Sequence, residues 1–134
     1  MYNTEDYTVA QDYADLANDI IRDMFPDILA NGISVGFLSC SKEKRKGRTN
    51  LVYGECRKVN GWELVFCPFD FLIIIYDVNC EGFTDDQIRT LIWHELEHIG
   101  VDERGNHYVK PHDIEDFRDI IDKCGIDWAK KEGV

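Results

Sequence analysis

With 134 residues, 44% hydrophobic and 31% charged, the chain suits one globular domain with its own core, and no apolar run approaches the roughly 20 residues of a membrane span. Its 26 acidic against 15 basic side chains, a net charge of −11, argue against general affinity for nucleic acid or an anionic membrane. Five cysteines without a C-x-x-C pair argue against a disulfide framework or a zinc ribbon, and the acidic, amphipathic start MYNTEDYTVAQDYADL is unlike a secretory signal, so a cytoplasmic chain with reduced thiols is expected.

In chain order, Val9, Tyr13, Leu16, Ala17, Ile20, Ile21 and Met24 recur at spacings of three and four and predict a helix that Pro26 and Asn31-Gly32 end. The stretches ISVGFL, LVYGECRKV and WELVF then read as strands, with Asn60-Gly61 as a hairpin turn between the last two. Between the first two lies KEKRKGR, with Lys42, Lys44, Arg45, Lys46 and Arg48. Its simpler reading is a solvated loop, its sharper one an electropositive lip that steers an acidic partner. FLIIIYDV is a near-continuous apolar run, as expected of a strand covered on both faces.

A second helix opens at Thr84, whose pairing with Gln87 makes a capping box, with Asp85 and Asp86 at the positive end of the dipole and Gly100 as the stop. A third begins near PHDIEDF, with Ile114, Phe117, Ile120, Ile121 and Cys124 on one face and Gly125 closing it. The order of helix, strands and two helices is that of an α+β domain.

The second helix carries LIWHELEHIG, in which His94, Glu95 and His98 spell H-E-x-x-H. Residues four apart on a helix lie one above the other, so both imidazoles reach one ion. Around the helix, Ile88, Ile92, Leu96 and Ile99 mark the core side; Glu95 falls near its edge and Glu97 on the wet side. A salt-bridged surface helix explains Glu97 but not Glu95, because a carboxylate near the core is costly unless paired or used. A catalytic zinc takes three protein ligands and keeps a fourth position for water. The metzincin extension fails, since Val101 and Arg104 stand where it needs Gly and His. The remaining candidates are His107, His112, Glu103 and Glu115. His112 is favoured over His107 because it opens a helix, and the loop from Val101 to Pro111 is long enough to swing that helix back; His107 lies in an apparent turn. Asp113 reads equally as a helix N-cap or as an acceptor for a ligand N–H.

LIWHELEHIG followed by YVKPHDIEDF resembles the putative phage metallopeptidase family, small zincin-like domains with H-E-L-x-H and a later P-H-D-x-x-D-F. The resemblance extends over the order of elements and is specific from about residue 84 to 121. It implies a single zincin-like domain over residues 1–134: an N-terminal helix, a small, mostly antiparallel sheet, the motif helix and a C-terminal helix. Position by position it implies metal ligands His94, His98 and His112, and a catalytic glutamate at Glu95.

The expected function is a zinc-dependent hydrolase, a metallopeptidase that uses zinc-activated water with Glu95 as general base and then acid, acting on a protein or peptide substrate. His107 and Tyr108 are candidate donors to the oxyanion, and an edge strand beside the site could take an extended peptide. The alternatives are a zinc-stabilised regulatory or protein-binding module without proteolytic activity, in which Glu95 would have no task, and a hydrolase of a non-peptide amide.

Overall fold

The computed structural model describes residues 6–47 and 50–111. Along them run β1 (Tyr7–Val9), α1 (Gln11–Met24), α2 (Pro26–Ala30), β2 (Val35–Cys40), β3 (Arg45–Lys46), β4 (Asn50–Leu51), β5 (Gly54–Lys58), a 3₁₀ helix (Gly61–Val65), β6 (Phe71–Tyr76), α3 (Asp85–Leu96), β7 (Ile99–Val101) and β8 (His107–Val109). The expected C-terminal helix, with Ile114, Phe117, Ile120, Ile121 and Cys124, lies outside the described residues, as do Arg48, His112, Asp113 and Glu115. The class is α+β, as expected. No helix among the described residues is long and apolar enough to cross a membrane.

The main sheet has the order β1-β2-β6-β5. β6, the apolar run, is central, paired parallel with β2 (Phe37 opposite Ile73) and antiparallel with β5 (Cys56 opposite Ile73); β1 adds antiparallel to β2. The sheet is therefore mixed, with its longest pairing parallel. Side chains alternate across it. Phe71, Ile73 and Ile75 of β6 join Phe37, the α1 residues Ala17, Ile20 and Ile21, and the α3 residues Leu91, Ile92 and Leu96 in the main core. Ile74 and Tyr76 face the other way, with Cys40, into a smaller cluster that includes Tyr7, Leu38 and Val52. α1 and α3 thus pack together on one face of the sheet, and β5 forms its edge.

Four expectations are corrected. Val9 belongs to β1 and is 81% exposed, so the helix stripe begins at Tyr13. Pro26 does not merely end α1; it starts α2 at the position where its missing N–H is no loss. WELVF is not a strand and Asn60-Gly61 no hairpin turn. The Asn60 amide donates to the Glu63 carboxylate at 2.9 Å, and the Cys67 amide reaches the Glu63 carbonyl at 2.9 Å, so local turn bonds take the backbone groups a ladder would need. β6 is already flanked by β2 and β5, so no central position is left for this segment. Gly100 is not a helix stop either: it lies in β7 opposite Tyr108.

Candidate metal centre

The start of α3 is as the sequence predicts. Thr84 N–H donates to Gln87 Oε1 at 2.6 Å, and Gln87 N–H donates to Thr84 Oγ1 at 3.2 Å. Leu91, Ile92 and Leu96 are fully buried and fix the helix's rotation on the sheet. That rotation carries His94 and Glu95 inward, 1% and 2% exposed, while Glu97 stays in solvent. His98 lies one turn on, 7% exposed. It stands beyond the last regular residue: the Glu97 amide still reaches Trp93 O, but the His98 amide bonds Glu95 O, three residues back, at 3.1 Å. The final turn tightens, and His98 hangs on it.

His94, Glu95 and His98 each offer one ligand atom, and these atoms lie within 4.8 Å of one another. Together they form a group able to hold a metal ion. His94 Nε2 is 3.9 Å from Glu95 Oε2, and the two imidazoles meet edge to face, with centroids 5.1 Å apart and planes at 89°. The orientation of His98 is set from outside the helix. Its Nδ1 lies 2.6 Å from the Lys110 carbonyl oxygen, which only accepts, so Nδ1 carries the hydrogen and donates it. In the neutral ring the lone pair then sits on Nε2, the tautomer a metal ligand needs. The Lys110 amide in turn donates to the His98 carbonyl at 2.6 Å, so His98 clasps this residue at both backbone groups.

β5 closes the site opposite the helix. A Cβ built on Gly54 would stand 3.3 Å from Glu95 Oε2, closer than most Cβ atoms come to a neighbour. Two residues along, on the same face, the thiol of Cys56 is pushed up to about 12 by burial and then by the charge of Glu95. The carboxylate is therefore wedged between its own helix and the sheet edge.

A family model described as putative phage metallopeptidase matches residues 5–132. The chain belongs to that family. No curated protein and no solved structure matches it. Membership makes a metallopeptidase the coarse expectation for the group on α3, and the remaining predicted site residues sort around it. His107 is not in the cluster: it lies on β8, not in a turn, with its ring 5.6 Å from that of Phe71. Glu103 is exposed in the β7–β8 turn and is also outside the group. The Tyr108 ring covers Gly100 so closely that a Cβ there would fall 2.6 Å from Tyr108 Cζ, which explains the glycine as a close approach. His112, Asp113 and Glu115 fall outside the described residues. Sequence reasoning missed Gly54, whose interruption of an apolar strand was a signal for close approach, and the Lys110 carbonyl, a backbone group with no signal at all.

Proposed function

We propose that the chain is a zinc-dependent peptide hydrolase in which His94, His98 and His112 hold the metal and Glu95 is the general base. The observation that carries this is Glu95, a carboxylate 2% exposed, pressed between α3 and β5 beside two buried imidazoles. Burial of an acid in such a place is expensive unless the group is used. The donor set suits zinc, which favours imidazole and tolerates a three-ligand site. His112 enters through covalent reach. It follows Lys110 by two residues, a span of at most about 7 Å, and Lys110 is bonded to His98 at both its amide and its carbonyl. His107, its ring tilted against that of Phe71, is less suited to the role.

Zinc so held would supply a Lewis acid for the scissile carbonyl and lower the pKa of water. Glu95 takes the proton of the attacking water and delivers it to the departing amine nitrogen. His98, its Nδ1–H fixed on Lys110, keeps its ring from turning away from the site. β5, at the sheet edge beside Glu95, is the strand to which an extended peptide adds.

The test is Glu95→Gln, which keeps volume and removes the base. It should retain about one zinc per chain yet lose hydrolysis by about 10²–10⁴-fold. His112→Ala should lose most of the zinc and His107→Ala should keep it. Zinc-loaded wild type that cleaves nothing in a peptide library would favour the binding module; equal cleavage by both forms would remove Glu95 from the mechanism.

A further inference from the structure

Charge is distributed unevenly around this site. Between residues 42 and 58 stand seven basic and two acidic side chains, in a chain whose totals are 15 and 26. The segment is the short β3–β4 hairpin and the edge strand β5. The hairpin is fastened at the end of β5 that meets Glu95. Val52 N–H donates to Lys44 O at 3.0 Å, and the Asn79 side-chain amide donates to Lys44 O at 2.8 Å and to Val52 O at 2.6 Å. Two residues after Val52 comes Gly54, against the Glu95 carboxylate. The basic lip is therefore built onto the rim of the candidate site.

Both acidic side chains of the segment are already matched. Lys44 Nζ lies 2.8 Å from Glu55 Oε1, and Arg45 Nη2 3.1 Å from Glu43 Oε1. Lys42, Lys46, Arg57 and Lys58 are exposed and form no ion pair with a described residue. Side chains alternate along β5: Gly54 and Cys56 face α3, while Glu55 and Arg57 face the opposite side. A strand laid along the edge of β5 would place every second side chain on the face that carries Arg57, next to the Lys44–Glu55 pair.

We infer that the edge of β5 and the β3–β4 hairpin together bind an extended peptide segment carrying acidic side chains at alternate positions. This rests on the hydrolase reading of the same site and adds its substrate class. Lys42 and Lys46 at the hairpin and Arg57 and Lys58 on β5 leave four cations unpaired among the described residues along one stretch of a strongly acidic molecule, and their sign complements an acidic strand. Basic side chains also keep sheet edges from pairing with copies of themselves, and that simpler role makes the opposite prediction about selectivity.

The experiment uses the full chain, zinc-loaded, as Glu95→Gln for binding and as wild type for cleavage. The probes are fluorescein-labelled peptides of one β-favouring host sequence with Glu, Gln or Lys at every second position. The Glu peptide should bind about tenfold more tightly than the Gln peptide at low salt, several exposed charge pairs acting together, with the Lys peptide weakest and the margin shrinking at high salt. Lys46→Glu with Arg57→Glu should cut the margin to about threefold or less, whereas Arg22→Glu on α1 should leave it unchanged. Equal affinity for the three peptides, or a margin untouched by the double reversal, would overturn the inference and leave the charges as edge guards. Displacement of the Glu peptide by a single-stranded oligonucleotide of equal charge would overturn it too, because the edge would then read charge without strand geometry. Retained preference in Glu95→Gln without any hydrolysis by wild type would overturn the hydrolase reading alone; hydrolysis without preference would overturn this inference alone.

Discussion

At position 54 a single methyl group would stand 3.3 Å from Glu95 Oε2, and as close to Ile74 O and Ile75 Cδ1. Gly54 has no positive φ, so alanine fits the backbone and the strain falls on the neighbours. On the proposed hydrolysis the carboxylate is the one that matters, because displacement of a reacting group by a fraction of an ångström is costly to a positioned proton transfer. Gly54→Ala should therefore lower kcat about tenfold while zinc content and the unfolding midpoint stay near wild type. Unchanged turnover would show that Glu95 needs no such clearance. At this scale the motif itself was legible: helical spacing alone grouped His94, Glu95 and His98 and turned Glu95 inward. The groups that hold them were not, since Gly54 and Lys110 reach the site through pairing of β5 with β6 and through a backbone bond to His98.

Among the elements, the β3–β4 hairpin shows how a loop without a core is held. Lys44 Nζ donates to Glu55, Tyr76 O–H donates to the same carboxylate, and the ammonium also lies 5.5 Å from the Tyr76 ring centroid. Burial pushes the Glu55 carboxyl upward, but the bonds from Lys44 and Tyr76 and the charges of Lys44 and Arg57 outweigh it and hold it below its ordinary 4.5. A carboxyl depressed on folding stabilises the fold above its unfolded pKa and ceases to do so as pH falls through its lower folded value. Glu55→Gln should thus be less stable than wild type near neutrality, and the gap should close on acidification below about pH 4. Urea midpoints across that range check it; a gap that persists in acid would place the loss in packing instead. The same scale separates what sequence could say from what it could not. Periodicity found α1, β2, β6 and α3 because each buries a continuous face. WELVF offers strand-like residues, yet Trp62, Val65 and Phe66 are 76%, 77% and 85% exposed, and the Asn60–Glu63 bond decides its shape. Pattern reports burial, and this segment has none.

For the whole molecule, the proposed metal centre would also be a fastening. α3 supplies His94 and Glu95 and the turn that follows it His98; β5 backs Glu95 from the sheet edge; and Lys110, after the β7–β8 hairpin, is tied to His98 by two bonds. Unfolding separates all three. An ion that binds only the folded arrangement stabilises it by an amount set by its concentration over its dissociation constant, about 2.7 kcal/mol at a hundredfold excess. For a chain of this length that corresponds to a rise in Tm on the order of 10 °C. Chelation should lower the melting midpoint by this amount and zinc should restore it. His98→Ala should abolish the response, because it removes both a ligand and the side-chain bond to Lys110, leaving only the backbone bond. Glu95→Gln should keep it, since its carboxylate is assigned to the proton and not to the ion. The pairing of the last two variants makes the measurement decisive without any substrate: loss of the zinc response in Glu95→Gln would make Glu95 a ligand, and its retention in His98→Ala would remove His98 from the ligand set.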